Sequence, residues 1–223
     1  MKGMTGMDGN KQKIIEARIQ RTMAALEKNH MHAYFAPTCA DAVKQVEALM
    51  KTGDTITSGG SMTLEESGVM ALMKNGKYHM IDRNSGSITP EEAYLLSYSA
   101  DVYLMSSNAV TEDGELYNVD GNSNRVSALT HGPKKVIVIA GYNKIVPDLT
   151  AAVERVKQIA APANGIRLGL STPCVKTGHC VACGDRMTAG CSSPDRMCVN
   201  YVVTAYQRSD RISVILVGEE LGY

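Results

Sequence analysis

Short apolar runs alternate with amphipathic segments along most of the chain. Apolar residues recur at helical spacing over residues 14–26. The continuous apolar run at about 135–140 is typical of a strand that is buried on both faces. This alternation predicts an α/β fold, with a mostly parallel sheet flanked by helices. We expect this strand and those at about 54–57 and 102–106 to be neighbours in one sheet.

Length and composition indicate one domain. The chain has 223 residues, of which 44% are hydrophobic, and 23 basic residues balance 23 acidic ones. This balance gives no electrostatic reason to bind nucleic acid, and no apolar run is long enough to span a membrane. Residues 1–10 are predicted to be a flexible leader, and residues 11–223 one domain that includes a cysteine-rich segment at 172–200. The lack of a signal-peptide pattern predicts a cytoplasmic protein.

The most polar stretch of the chain covers residues 108–125. The Asp-Gly pair at 113–114 separates two short β-prone runs and predicts a hairpin. A second Asp-Gly turn follows, and a helix is expected to begin at Asn124. Asn122 or Ser123 is expected to cap that helix. The stretch therefore gathers carboxylates, carboxamides and an arginine around two turns.

This stretch also carries a family resemblance. Residues 111–125 read Thr-Glu-Asp-Gly-x-Leu-x-Asn-x-Asp-Gly-x-x-Asn-Arg, and residues 132–146 read Gly-Pro-Lys-Lys-Val-Ile-Val-Ile-Ala-Gly-x-Asn-Lys-Ile-Val. Together they resemble the lactate-utilisation (LUD domain, LutC/YkgG-like) proteins. The resemblance implies a fold of the NagB/RpiA/CoA-transferase-like type. It also implies a role near lactate or 2-hydroxyacid oxidation, beside iron–sulfur partner proteins.

Two polar loops are predicted at the carboxyl ends of strands, where open α/β sheets bind ligands. Gly59, Gly60 and Ser61 follow a strand and precede a helix, so their backbone amides suit a carboxylate or phosphate. Lys144 follows the most apolar strand, where its charge could balance a substrate anion or take part in catalysis. The alternatives are an ordinary turn for the glycines and a solvated loop position for the lysine.

The polar stretch supplies a third loop to the same edge. Glu112 and Asp113 are the candidate catalytic acids. Arg125 is a candidate clamp because its planar guanidinium matches a carboxylate. Asn118 and Asn124 are candidate substrate contacts, although both could instead stabilise turns. We predict that the three loops line one pocket for a small carboxylate or acyl ligand.

The cysteines form a second candidate site. Cys39 lies among apolar residues and is expected to be an inert buried thiol. The other five cluster in one segment, where a Cys-x2-Cys core in a cytosolic protein favours a metal. Thiolates suit both an iron–sulfur cluster and zinc. The candidate ligands are Cys174, Cys180, Cys183, Cys191 and Cys198.

The family resemblance leaves one ligand ambiguous. Relatives often end in Thr-Pro-Cys-x5-Cys-x2-Cys-Ser-Pro-Asp-Arg-x-Cys, whereas residues 184–190 of this chain resemble an insertion that duplicates the third cysteine. Either Cys183 or Cys191 is then the third ligand. The alternative for the whole cluster is free thiols or an adventitious disulfide.

Three function classes follow from these features. The first is an enzyme or enzyme subunit of lactate-type oxidation that binds a small carboxylate or acyl ligand. The second is a non-catalytic sensing or scaffold subunit that docks on iron–sulfur lactate-oxidation proteins. The third is a hydrolase or transferase of phosphosugar or CoA type, for which the chain offers no P-loop or Ser-His-Asp motif. A homodimer is compatible with each of them.

Overall fold

Strands form two separate sheets. The computed structural model describes residues 7–82 and 85–223. Within these ranges the strands, labelled β1 to β10 in chain order, are His32–Ala36, Thr55–Ser58, His79–Met80, Val102–Met105, Ala109–Thr111, Leu116–Asp120, Lys135–Gly141, Ile145–Val146, Asn200–Thr204 and Ile212–Val217.

Helices connect most of the strands. In the described ranges none of them is both long and apolar enough to cross a membrane. A 3-10 turn covers Tyr142–Lys144 and a π-helical turn covers Val156–Ala160. The α-helices α1 to α9, in chain order, are Gly9–Lys28, Cys39–Leu49, Met62–Glu66, Val69–Met73, Pro90–Ser97, Asn124–Thr130, Leu149–Arg155, Ala161–Arg167 and Pro173–Thr177.

The predicted leader overlaps the start of α1. Residues 1–6 lie outside the described residues, whereas Gly9 and Asn10 already belong to the helix. The Asp8 carboxylate accepts the amides of Asn10 and Lys11, each at 3.1 Å, and so satisfies donors that the first helical turn leaves free.

The larger sheet contains six strands in the order β1-β10-β7-β4-β2-β3, and each neighbouring pair runs parallel. Strand β4 pairs with β2 on one side and β7 on the other. The prediction that these three strands are neighbours is therefore confirmed, as is the α/β class. The smaller sheet has the order β8-β5-β6-β9, and β5 and β6 form the antiparallel hairpin predicted from the Asp-Gly pair.

Strand β7 shows why the large sheet needs helices on both faces. Val136 and Val138 belong to one buried cluster with residues of α1 and α6, such as Ile19. Ile137 and Ile139 belong to a second cluster with residues of α2 and α4. Successive side chains of a strand point to opposite faces, so a continuous apolar run requires cover on both.

The helical segment that follows Asp148 is divided in two. Helix α7 ends at Arg155, the π-helical turn follows, and α8 begins at Ala161. Pro162 has no amide hydrogen to continue the helical ladder, and such breaks commonly coincide with π turns. The interruption places Lys157 and the start of α8 beside the cysteine-rich segment.

The hairpin turn offers a test of how the smaller sheet packs on α1. Gly114 has a φ of +79°, and a Cβ there would lie 2.5 Å from the backbone carbon of Ala25. Gly53 has a similar φ of +88° but open space around it. In urea unfolding, Gly53→Ala should cost about 1–2 kcal/mol for the left-handed backbone. Gly114→Ala should cost about 1–3 kcal/mol more, because α1 must move. Equal losses would contradict the close packing of turn and helix.

Candidate functional site

A cavity of about 490 Å³ lies at the carboxyl ends of β2 and β4. This is the edge at which open α/β sheets bind ligands. Its walls come from both sheets, from α8 and from the cysteine-rich segment. The stretches that line it include residues 60–63, 106–108, 119–122 and 194–198.

The cavity brings together residues from all three predicted loops. Gly60 and Ser61 come from the loop after β2, and Lys144 from the turn after β7. Asn124 and Arg125 come from the start of α6. The loops therefore meet at one site, although their individual side chains have different tasks.

The Arg125 guanidinium is bonded to the protein itself. Its Nη1 donates to Asn118 Oδ1 at 2.5 Å. Its Nη2 donates to Asn108 Oδ1 at 2.9 Å and to the Val119 carbonyl at 2.8 Å. Its Nε lies 3.7 Å from Asp120 Oδ2. The predicted role as a two-pronged clamp does not fit this geometry, and Asn118, a predicted substrate contact, is buried as a partner of Arg125. Burial lowers the pKa of Arg125, and Asp120 opposes that shift.

The glycine loop makes room for this arginine. A Cβ on Gly59 would lie 2.8 Å from the Tyr103 hydroxyl and 3.1 Å from Arg125 Cδ. Gly59 therefore permits a close approach, whereas the next two residues reach the cavity. The Ser61 hydroxyl accepts the Leu64 amide at 3.4 Å and begins α3.

Lys144 is the buried cation with hydrogen-bonding capacity to spare. Its side chain is nearly inaccessible, and Nζ donates to Thr63 Oγ1 at 2.8 Å and Ser106 Oγ at 3.0 Å. Among the described residues no carboxylate lies within ion-pair distance of Nζ. An ammonium has three donors, so one remains. Burial lowers the pKa of Lys144 to about 7, and the nearby charges of Arg155 and Arg125 contribute.

Arg155 is the second structural arginine beside Lys144. Its Nη1 donates to the Asn108 carbonyl at 2.7 Å and its Nε to the Asn143 carbonyl at 3.1 Å. Burial lowers the pKa of Arg155 to about 10. Both arginines thus hold loops in place and, through their charge, favour the neutral amine of Lys144.

The two predicted catalytic acids lie away from the cavity. The Glu112 carboxylate pairs with Arg18 at 3.1 Å and with Arg21 at 2.7 Å, both on α1. Asp113 is exposed at the hairpin tip, where its carbonyl accepts the Asn29 side-chain amide at 2.9 Å. The prediction that these acids line the pocket is wrong, because the hairpin turns its tip toward α1.

Asp120 caps the start of α6, a role that was predicted for Asn122 or Ser123. Its carboxylate accepts the amides of Ser123 at 3.1 Å, Arg125 at 3.2 Å and Val126 at 3.3 Å, as well as that of Asn122 at 3.0 Å. The side chain of Ser123, at a φ of +64°, makes no capping bond. The carboxylate of Asp120 therefore orders the start of α6 and the wall of the cavity.

Sequence reasoning named no site residue in the loop after β4, although Asn108 begins the polar stretch that it singled out. Residues 106–108 contribute Ser106, which contacts Lys144, and Asn108, which contacts Arg125. They directly follow a buried strand, so the rule that selected the other loops could have selected them too. Thr63 gave no such signal, since its contact with Lys144 spans two distant parts of the chain.

Four of the five clustered cysteines line a second cavity of about 30 Å³. All six cysteines of the chain are free thiols. Burial, followed by the charges of Cys180, Cys174 and Cys191, raises the pKa of Cys198 to about 11. In the described ranges no group of three or more His, Cys, Asp or Glu side chains is placed so that it could hold a metal ion. The four cysteines that line this second cavity are Cys174, Cys180, Cys191 and Cys198.

Comparison with known proteins identifies the family. The family model of the LUD domain matches residues 19–217, nearly the whole chain. The chain belongs to the LUD domain family. LUD membership associates it with lactate utilisation at the level of the family. None of the curated proteins compared matches the chain.

One solved structure agrees with this LUD domain assignment at the level of the fold. A DUF162 family protein from Deinococcus radiodurans is similar with a TM-score of 0.51 and 14% identity, over 92% of this chain and 98% of that one. Lower similarity is found to eIF2B delta from Chaetomium thermophilum, with a TM-score of 0.35 and 17% identity over 49% of this chain and 48% of that one.

The bonding of Arg125 predicts a structural role. Arg125→Ala leaves the Asn118 and Asn108 side chains without their buried partner, and should lower the free energy of unfolding by about 3–5 kcal/mol. Arg21→Ala is the control, because that side chain is exposed and its loss should cost under about 1 kcal/mol. Chemical denaturation of both variants measures the difference. A stable Arg125→Ala protein would contradict the structural role.

The pKa of Lys144 predicts a pH dependence of stability. The unfolded lysine keeps its proton up to about pH 10.5, whereas the folded one releases it above about 7. Stability therefore rises with pH between these values. Relative to Lys144→Met, the wild-type protein should gain about 2–3 kcal/mol in free energy of unfolding from pH 6 to pH 9. A constant difference between the two proteins would mean that Lys144 keeps an ordinary pKa.

Proposed function

We propose that the chain binds a small 2-hydroxy or 2-oxo carboxylate in the 490 Å³ cavity, as a component of lactate utilisation. The observation that carries this proposal is Lys144, a buried amine with one donor to spare and no carboxylate partner among the described residues. Family membership supplies the metabolic context, and the site supplies the preference for an anion.

The charge balance around the cavity favours an anionic ligand. Lys144, Arg125 and Arg155 bring three buried or half-buried cations close together; the Asp120 carboxylate offsets the charge of Arg125, and the charge of Glu66 acts more weakly on Lys144. Isolated charges are costly to bury, so an added carboxylate would stabilise the cluster. Because Arg125 and Arg155 are committed to the protein, the direct contact falls to Lys144 and to neighbouring hydroxyls such as that of Ser61.

Lys144 is also suited to proton transfer. An amine whose pKa is near 7 exchanges protons readily at neutral pH. Oxidation of a 2-hydroxyacid to a 2-oxoacid removes two protons and two electrons. We assign to the neutral amine of Lys144 the proton of the hydroxyl group, and the hydrogen on C2 leaves with both electrons as a hydride to a two-electron acceptor on a partner protein, which passes the electrons singly to iron–sulfur centres. The former candidates Glu112 and Asp113 have no part in this step.

A non-catalytic sensing or scaffold subunit is the second candidate. The observation that favours it is the distance of both predicted catalytic acids from the cavity, which leaves Lys144 to perform the acid–base chemistry. Turnover of lactate with an artificial electron acceptor, assayed with and without partner proteins, separates the two candidates.

Calorimetric titration tests the ligand class directly. L-lactate or pyruvate should bind, whereas the neutral analogue lactamide should not, because the site stabilises a carboxylate. Lys144→Met should weaken binding about 10–100-fold, the effect of losing a charge-assisted hydrogen bond.

The matched control is Lys134→Met. That lysine is exposed and pairs with Asp101 at 2.8 Å, away from the cavity, so its loss should leave the affinity unchanged. Binding of lactamide as tight as that of lactate, or an unaltered affinity in Lys144→Met, would overturn the proposed ligand class.

A further inference from the structure

A second cavity adjoins the first and collects most of the chain's thiols. It has a volume of about 30 Å³, is mainly apolar, and shares Arg196, Met197 and Cys198 with the larger cavity. Cysteines from four separate positions of the segment reach it. Free thiols seldom gather in this way unless they serve a disulfide framework or a metal, and all six cysteines here are free.

The structure distinguishes the two alternative third ligands. Cys191 lines the small cavity, whereas Cys183 is not among its lining residues. Next to Cys183, the Gly184 amide donates to the Glu154 carboxylate at 3.2 Å, which fixes that part of the loop against α7.

A buried lysine holds the same loop in position. Nζ of Lys157 donates to the carbonyls of Ala182 at 2.8 Å, Asp185 at 3.0 Å and Arg186 at 2.8 Å. These three bonds occupy the donors of the ammonium and tie residues on both sides of Cys183 to the π-helical turn. The backbone on both sides of Cys183 is thus fixed, and Cys183 does not line the small cavity.

Other contacts shape the segment around the four thiols. The Arg196 guanidinium donates to the Cys198 carbonyl at 2.8 Å and to the Cys191 carbonyl at 2.9 Å. The Thr172 hydroxyl lies 3.2 Å from Cys174 Sγ, close enough to donate to a thiolate. Hydrogen bonds of this kind orient metal ligands in known sites.

We propose that Cys174, Cys180, Cys191 and Cys198 bind one soft divalent cation of the zinc type, and that Cys183 is not a ligand. Four thiolates around one ion form the usual tetrahedral structural site, with metal–sulfur distances of about 2.3 Å. The side chains must turn inward to reach that geometry, and the thiols release their protons as the ion binds.

Metal analysis of matched variants tests the choice of ligands. Protein purified without oxygen and loaded with Zn²⁺ should contain about one ion per chain. Cys183→Ser and Cys39→Ser should keep that content, while Cys191→Ser should lose most of it. Loading with Co²⁺ should give the visible absorption of tetrahedral cobalt–thiolate in the wild type and in Cys183→Ser.

Alkylation of the wild-type protein tests the same proposal without any substitution. Its outcome therefore does not depend on whether a variant folds. Zn²⁺ should protect the four proposed ligands from a thiol reagent, as mapped by mass spectrometry, and leave Cys183 and Cys39 reacting at their original rates. Protection of Cys183 in place of Cys191 would overturn the ligand set. A wild type that binds neither Zn²⁺ nor Co²⁺, or that carries an iron–sulfur spectrum, would overturn the single-ion site.

Discussion

The Arg125 guanidinium joins parts of the structure that the chain itself leaves apart. It bonds to Asn108 in the loop after β4, to Asn118 and Val119 in the hairpin, and it packs against Gly59 after β2. The large sheet and the small sheet thus meet around one buried charge. Because a buried cation is costly unless its donors are satisfied, this network requires each of its partners to stay in place.

The need to satisfy these buried arginines also determines the charge state of Lys144 in the cavity. Arg125 and Arg155 donate their hydrogen bonds to other groups of the protein, yet their charges still act on Lys144. Burial and these two charges together favour the neutral amine, so the scaffold prepares a lysine that titrates near pH 7. A ligand carboxylate would reverse part of this effect by stabilising the ammonium. Binding and proton exchange at Lys144 are therefore linked through charges that never touch the ligand.

Sequence patterns predicted the parts of this arrangement that follow from strand order. Loops at the carboxyl ends of parallel strands meet at one edge, which is why Gly60, Ser61 and Lys144 were selected together. Glu112 failed because its position depends on how the hairpin packs against α1, a contact between distant residues that no local pattern records. Arg125 was placed correctly but given the wrong task, since its partners become visible only when both sheets are assembled.

The wall shared by the two cavities connects the larger cavity to the cysteines. Met197 and Cys198 line both cavities, and Arg196 ties their backbone to the carbonyl of Cys191. Few apolar side chains in this segment are buried, so hydrogen bonds and the proposed ion would have to order it. An ion held by the four thiols would then complete one side of the ligand cavity without touching the ligand. On this view the metal would act by shaping the wall, and Lys144 would still supply the contact with the anion.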